Sequence, residues 1–468
     1  MNASVLAQLE ATISPDSLLV GERIDRKFYG LGEMAPAAVV RPRSTAEVSA
    51  LLRACHRSRT PVVTRGGGTG FNGGTTPQSG EIVLSLDRMN ALAPVDLDSA
   101  SVLVEAGAIL EHVQRAADEA DLHLGLEMGA RGSCTIGGNL ATNAGGSRVI
   151  RYGMARAQVL GLEAVLADGT VLSSLGELVK NNAGYDLNQL FVGSEGTLGV
   201  ITRARLRLHE RPAFHLAALV ALPGVTEALA LLRRLRRDLG PGLSAFELIW
   251  GDVYNGVVDQ GLHGTGQPPL QPGQPLYALV EAQWGPQNDL TAVLESALAD
   301  GLEGETIHDA ALSQSEADYR HFWQVREGCS EFIRARSNCY GFDVGIPLRN
   351  MAAFTERARE RLATVDPQAI AHVFGHLGDG NLHFIVETRH PDLATQVVYT
   401  EVVGAGGTIA AEHGIGFEKK PYLQLSRCPA ELSTMRLLKR ALDPYNILNA
   451  GRVFDLEPAL ELSDGPGF

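Results

Sequence analysis

Apolar and polar positions recur along this chain with periods that locate its elements. Val48, Leu51, Leu52 and Cys55 stand at helical spacing behind Ser44, an N-cap with Glu47 three residues on, so a helix is predicted there. The first forty residues read as a short amphipathic helix and an exposed connection. After the Ser44 helix comes "TPVVTR", a predicted strand that runs into glycine. From there to about residue 210, "EIVLSLDR", "SVLVEAGAIL", "VLGLEAVLADGTVL" and "VITRARLRL" read as strands between turns. In the last of these Ala204, Leu206 and Leu208 alternate with Arg203, Arg205 and Arg207, the period of a half-buried strand. This part is a mixed α/β unit.

After "HERPAF" the rhythm changes. "LAALVALPGVTEALALLRRLRRDLG" is a strand followed by a helix, and "PLYALVEAQWG" with "NDLTAVLESALADG" repeats that unit. Two such units predict an antiparallel sheet covered by helices on one face. The Gly/Pro/Gln-rich "GLHGTGQPPLQPGQP" between them reads as a surface loop. Residues 421–468 form a tail with one helix, ending at "LDPYNILNAGRVF".

Composition narrows the function. A chain of 468 residues is too long for one ordinary core, and its net charge of -14 opposes nucleic acid and anionic membranes. Five scattered cysteines without a CxxC pair point to a reducing compartment and packed thiols, Cys134 among them. "MNASVLAQLE" lacks the basic start of a secretory signal, and the longest apolar stretch is far short of a bilayer span, so a cytoplasmic protein is expected.

The 52 glycines, about one residue in nine, gather in three loops. "TRGGGTGFNGGTTPQSG" satisfies GxGxxG through Gly68, Gly70 and Gly73, yet a dinucleotide fingerprint needs a helix at the third glycine, and here Gly74, Thr75, Thr76, Pro77 and another strand follow. What remains is a strand-loop-strand element whose amides can form an anion nest, or else a flexible hairpin loop. "GARGSCTIGGNLATNAGGSRVIRYG" and "KNNAGYDLNQLFVGSEGTLGVIT" are the second and third loops. Three such loops in one unit suit a large phosphate-bearing cofactor.

The ordered motifs RGGGTG, GSCTIGGNLATNAGG, RYG and GYDLNQLFVGSEGTLGVIT resemble the FAD domain of the vanillyl-alcohol oxidase superfamily, most closely its D-2-hydroxyglutarate dehydrogenase branch. The resemblance implies an α+β chain: a PCMH-type FAD-binding domain of two subdomains over residues 1–211, a substrate and metal domain over 212–420, and a helical tail docking back on the FAD domain. It assigns FAD contacts to Arg65, Gly66, Gly67, Gly68, Thr69, Gly70, Asn72 and Gly73 in the first loop. In the second it assigns Ser133, Thr135, Gly137, Gly138, Asn139, Thr142, Asn143, Gly145 and Gly146, in the third Glu195, Gly196, Gly199 and Ile201, and in the tail Asn449. Relatives that attach FAD covalently carry a histidine in the first loop, where this chain has Thr69, so noncovalent FAD is expected.

The second region offers "HVFGHLGDGNLHF". If Asp379-Gly380 closes a two-residue hairpin, His376 faces His383 directly, and two imidazoles so placed can hold one metal. His372 and His390 read as hydrogen-bonded core residues. The third ligand is proposed from "AAEHGIGFEKK", and the resemblance implies His376, His383 and Glu412 as ligands of a divalent metal, Zn²⁺ or Mn²⁺, with His413 as catalytic base. It further implies Arg326, Ser330, Asn381 and His413 as substrate-binding residues, for a D-2-hydroxy acid such as D-2-hydroxyglutarate, D-malate or D-lactate. The expected electron acceptor is a protein or quinone, and a homodimer is a family expectation.

Two positions depart from the family pattern. Gly341 and Ile385 stand where members acting on hydroxyglutarate place a lysine and an asparagine. Lys419, Lys420 and Arg334 are candidate substitutes, weighed against solvated surface charges. The alternatives are a D-lactate or glycolate dehydrogenase of the same superfamily, a metallohydrolase using the His376/His383/Glu412 site, and a noncatalytic flavin subunit of a larger complex.

Overall fold

A computed structural model describes residues 9, 13–176, 178, 180–286 and 289–456, so most of the N-terminal helix read from the sequence lies outside the described residues. The first unit holds two four-stranded sheets. Strands β1 (Leu18–Leu19), β2 (Ala38–Val40), β3 (Val62–Arg65) and β4 (Ile82–Ser85) run in the order β1-β2-β4-β3, with β2 and β3 parallel to β4. Helix α1 (Thr45–Ser58) makes the crossover; the Ser44 hydroxyl accepts the Glu47 amide at 3.2 Å, and the Glu47 carboxylate accepts the Arg43 amide at 2.9 Å. Strands β5 (Ser101–Glu105), β7 (Val159–Val165), β8 (Val171–Ser173) and β9 (Val200–Arg207) form the second sheet, while β6 (Leu122–His123) pairs with β10 (His209–Glu210). Ala204, Leu206 and Leu208 are buried where the alternation placed them.

The second unit is a seven-stranded sheet. It comprises β11 (Phe214–Leu222), β12 (Leu243–Trp250), β13 (Leu276–Trp284), β14 (Asp309–Leu312), β15 (Cys339–Gly345), β16 (Ile370–His376) and β17 (Asn381–Glu387). The order is β14-β11-β13-β12-β16-β17-β15, antiparallel throughout. Helices α2 (Val225–Leu239), α4 (Thr291–Glu303), α6 (Met351–Val365) and α7 (Pro391–Gly404) pack on one face against Val220, Leu248, Val280 and Phe384. Helices α3 (Gly251–Asp259) and α5 (Glu316–Arg334) pack on the other, against Leu219, Ile249, Leu279, Phe374 and Ile385. The expectation of helices on a single face is corrected here. Strands such as "LYALVEAQW" are buried at odd and even positions alike, so both faces require cover.

The α3/α5 face is only partly apolar. Glu247, Glu281, Asp343, His376 and His383 stand at the same alternate positions as Ile249, Leu279, Phe374 and Ile385, so strand period alone gathers charged groups on one side of the sheet. Helix α8 (Pro429–Leu442) leads the chain back to the first unit, where Ile447 and Asn449 bond to Val62 alongside β3. Buried Lys439 donates to Asp443, Thr197 and Leu448, and buried Arg452 to the Glu81 carboxylate.

Candidate active site

The hairpin differs from its predicted register. His376 pairs with Asn381 and Phe374 with His383, leaving residues 377–380 as a four-residue loop. The reason is packing: the Leu377 side chain is swallowed by the core, Gly378 donates to the Phe246 carbonyl at 3.3 Å, and Gly380, at φ +84°, returns its amide to His376 at 3.1 Å. The two histidines are therefore diagonal neighbours on one face, and their rings lean together until the Nε2 atoms are 3.3 Å apart. Glu412 Oε1 lies 3.5 Å from His376 Nε2.

This donor set fits a divalent metal. Two imidazole nitrogens about 2.0–2.1 Å from a tetrahedral zinc stand about 3.3 Å apart, and one donor atom from each of His376, His383 and Glu412 lies within 4.8 Å of the others. Buried carboxylates stand behind these donors. Glu247 accepts from His376 Nδ1 at 2.7 Å and from Arg326 Nε at 2.7 Å. Asp343 lies 3.4 Å from His383 Nδ1 and 3.6 Å from His413 Nδ1, and accepts the Glu412 amide at 2.7 Å. The Glu247 bond leaves Nε2 of His376 as the nitrogen free for a ligand.

Electrostatics follow from these pairs. Burial opposes charge on His376, but the Glu247 carboxylate outweighs it and lifts the imidazole pKa to about 9. Burial likewise opposes the Glu247 and Asp343 carboxylates, yet their cationic neighbours hold both below the usual range, Asp343 well below. His413 is raised, burial again working against the charge while Asp343 supports it.

Arg326 is 8% exposed rather than a surface arginine, with Nε committed to Glu247 and its guanidinium 4.9 Å from the Phe374 ring centre. Its terminal nitrogens have no partner among the described residues. Ser330, half-buried, lies one turn further along α5. Asn381 shares a face with His383, and both polar atoms of its buried amide are unpartnered among the described residues, the mark of a ligand-facing group. His372 is a buried, hydrogen-bonded core histidine as read. His390 is instead exposed, displaced from the core by the helix that starts at Pro391.

Gly341 and Ile385 are direct partners across β15 and β17, two pairs along from Asp343 and His383 and so the next pair on the same face. Of the three candidate substitutes only Lys419 comes to the site: it is 5% exposed and donates to the Asp343 carbonyl at 3.2 Å. Lys420 pairs with Asp455, and Arg334 is exposed on α5. Glu247, Asp343 and Glu281 were not singled out from the sequence, although a lone acid in an otherwise apolar strand, as in "SAFELIW", signals a paired buried carboxylate. Glu281 accepts from Arg148 Nε and Nη2, each at 3.0 Å, and joins the two units.

The glycine loops stack on one another. A Cβ on Gly66 or Gly67 would strike Thr135 or the Ser133 carbonyl, so the first loop lies on the second. Gly137, Gly145, Gly146 and Gly199 are equally close to neighbouring chain segments. The Asn139, Thr142 and Asn143 side chains bond within the protein, and Ile201 is buried in β9. The Arg65 guanidinium lies against Gly68. The amides of Gly66 to Gly74 have no acceptor among the described residues, and space beside Gly70 is open, which fits a pyrophosphate nest.

Residues 36–174 match the family model described as FAD binding domain, and residues 211–453 the one described as FAD linked oxidases, C-terminal domain, which makes the chain a flavin-dependent oxidoreductase. D-2-hydroxyglutarate dehydrogenase, mitochondrial, of Bos taurus is 41% identical over 88% of this chain and 75% of its own length. D-2-hydroxyglutarate dehydrogenase of Xanthomonas citri pv. viticola is 37% identical over 91% and 90%, and a putative mitochondrial D-lactate dehydrogenase of Schizosaccharomyces pombe 37% over 90% and 82%. The chain belongs to the D-2-hydroxyglutarate dehydrogenase family of FAD-linked oxidases. Substrate-bound p-cresol methylhydroxylase, 16% identical with a TM-score of 0.76 over 97% of both chains, and 4-ethylphenol oxidase from Gulosibacter chungangensis, 19% with 0.75 over 98% and 97%, share the fold. Among the described residues no helix is long and apolar enough to cross a membrane.

Proposed function

We propose that this chain oxidises a D-2-hydroxy acid to the 2-oxo acid, with noncovalent FAD in the three glycine loops and a divalent metal, zinc or manganese, at His376, His383 and Glu412. The observation that carries the reading is the 3.3 Å approach of two histidine Nε2 atoms beside Glu412. When bound, FAD supplies the hydride acceptor at N5 and the metal supplies Lewis acidity toward the substrate hydroxyl and carboxylate. His413 takes the hydroxyl proton at Nε2, while Asp343 at its Nδ1 stabilises the resulting imidazolium. The free terminal nitrogens of Arg326 and the amide of Asn381 hold substrate carboxylate oxygens, and Ser330 adds a hydroxyl donor.

D-2-hydroxyglutarate leads as substrate because relatives named for it match most of the chain. D-malate suits the same geometry. A shorter or less charged acid, D-lactate or glycolate, is the second reading, favoured by Gly341 and Ile385 beside the histidines. Electrons leave to a protein or quinone acceptor, and the chain acts as a homodimer. Five unpaired cysteines suit a reducing compartment, the cytoplasm or the mitochondrial matrix alike. On this reading the chain divides into an FAD-binding unit over 1–211, a substrate and metal unit over 212–420 and a tail over 421–468.

The test is anaerobic mixing of the purified flavoprotein with D- and L-2-hydroxyglutarate, D-malate, D-lactate and glycolate, before and after chelation, following flavin absorption. Bleaching by D-diacids that chelation abolishes supports the lead reading. Bleaching by lactate or glycolate alone moves the chain to the second, and bleaching indifferent to chelation sinks the metal.

A further inference from the structure

We infer that Glu195 and Asn72, although they belong to the flavin loops, act as positioning residues for the turn that carries Glu412 and His413. This rests on the reading of His413 as base.

The turn cannot hold its own shape. His413 lies at φ +57°, with Gly414 at +71° and Gly416 at +54°, left-handed positions at which the histidine, having a side chain, is strained. No strand or helix encloses residues 410–418. Asp343 of the second unit accepts the Ala411 and Glu412 amides, but the backbone groups of His413 to Phe417 that bond elsewhere do so to the first unit. The two Glu195 carboxylate oxygens accept the Ile415 amide at 2.6 Å and the Gly416 amide at 2.9 Å. The Asn72 side-chain amide donates to the carbonyls of His413 at 3.1 Å and Gly414 at 2.6 Å, and its backbone carbonyl accepts from Phe417 at 2.8 Å. The fit leaves no slack: a Cβ on Gly414 would sit 2.6 Å from the Glu195 carboxyl carbon, and one on Gly416 1.9 Å from the Asn72 carbonyl oxygen.

Glu195 is itself held firmly. It too is left-handed, at φ +52°, its amide donates to Ala141 and its carbonyl accepts from Asn449 at 2.7 Å. Burial pushes its carboxyl pKa up while the two amides oppose the rise. With both oxygens engaged by the turn, the carboxylate is directed at the catalytic segment rather than at a cofactor whose phosphates it would repel. Asn72 does the same from the first loop. The base is thus carried by one unit and aimed by the other.

The experiment compares wild-type holoprotein with Glu195→Ala, Glu195→Gln and Asn72→Ala by hydrogen exchange, flavin content and the anaerobic rate of flavin reduction by the hydroxy acid that wild type uses. Exchange of the 411–419 segment should quicken at least about tenfold in Glu195→Ala, with flavin content per chain at the wild-type level. Flavin reduction should slow about ten- to a hundredfold, with little change in substrate affinity, and Glu195→Gln, which keeps one acceptor and the shape, should recover part of both. Unchanged exchange in 411–419, loss of flavin in step with it, or a full reduction rate despite a loosened turn would each overturn the inference. Should Glu195→Ala fail to fold, Glu195→Gln and Asn72→Ala carry the same comparison. A wild type reduced by none of the hydroxy acids would refute the dehydrogenase reading, while the exchange data alone would still decide whether Glu195 holds the turn.

Discussion

In the first unit the groups free to meet a ligand are main-chain amides, those of Gly66 to Gly74, whereas in the seven-stranded sheet they are side chains standing at alternate positions on one face. A backbone site depends on what is missing, since a single added carbon at Gly66 or Gly67 strikes the loop beneath it. A side-chain site depends on what is present and on the buried partners that hold it. Substitutions should therefore separate the two, flavin from metal.

His383→Ala removes one of two convergent imidazoles. Metal should be lost and turnover fall by about a thousandfold, several kcal/mol of Lewis-acid assistance, while flavin content stays; metal analysis beside a flavin spectrum checks it, and retained turnover in a metal-free variant would make the hairpin structural. Glu247→Ala strips the buried Arg326 guanidinium of its carboxylate and removes the group that keeps His376 protonated, and should cost about 3–5 kcal/mol by denaturant titration. Gly146→Ala drives a Cβ to 1.9 Å from the Glu127 carbonyl. It should cost about 1–3 kcal/mol and lower flavin content, with zinc affinity nearly unchanged; equal loss of both would deny the division.

Next comes pH. In the metal-free protein His376 titrates at about 9, so below that value a metal must displace its proton. Apparent zinc affinity, read by chelator competition, should rise about tenfold per pH unit toward about 9 and then level. The sign for metal-free stability is the reverse: the contribution of protonated His376 is complete below the ordinary histidine pKa near 6.5 and lost as pH rises through about 9. The smallest effect belongs to Gly341→Lys, where a Cβ meets nothing within 4 Å. Stability should move by less than about 0.5 kcal/mol, while kcat/KM shifts toward the five-carbon diacid over lactate; no shift would place the distal grip elsewhere.

The same division governs what could be read beforehand. Glycine density marked all three loops, and period-two alternation placed β9, because both signals are local. The convergence of His376, His383 and Glu412 was legible too, but not the register that produces it: burying Leu377 takes the residue that a two-residue turn would have paired. Glu247 and Asp343 gain meaning only once β12 lies beside β16 and β15 beside β17, an arrangement no local pattern encodes. Lys419 looked like a surface charge for the same reason, its burial being decided by segments far away in sequence.

The return of the chain to β3 bears on how the molecule is made. Val62 exchanges backbone bonds with Ile447 and Asn449, and Arg452 closes over Glu81, so the edge of the earliest sheet is completed by nearly the last described residues. A nascent chain leaving the ribosome carries that edge open through synthesis of the whole seven-stranded unit, a long interval in which an uncapped strand can recruit a neighbour. The first unit to emerge is thus among the last to be sealed, which makes it the place where chaperone demand during synthesis should concentrate.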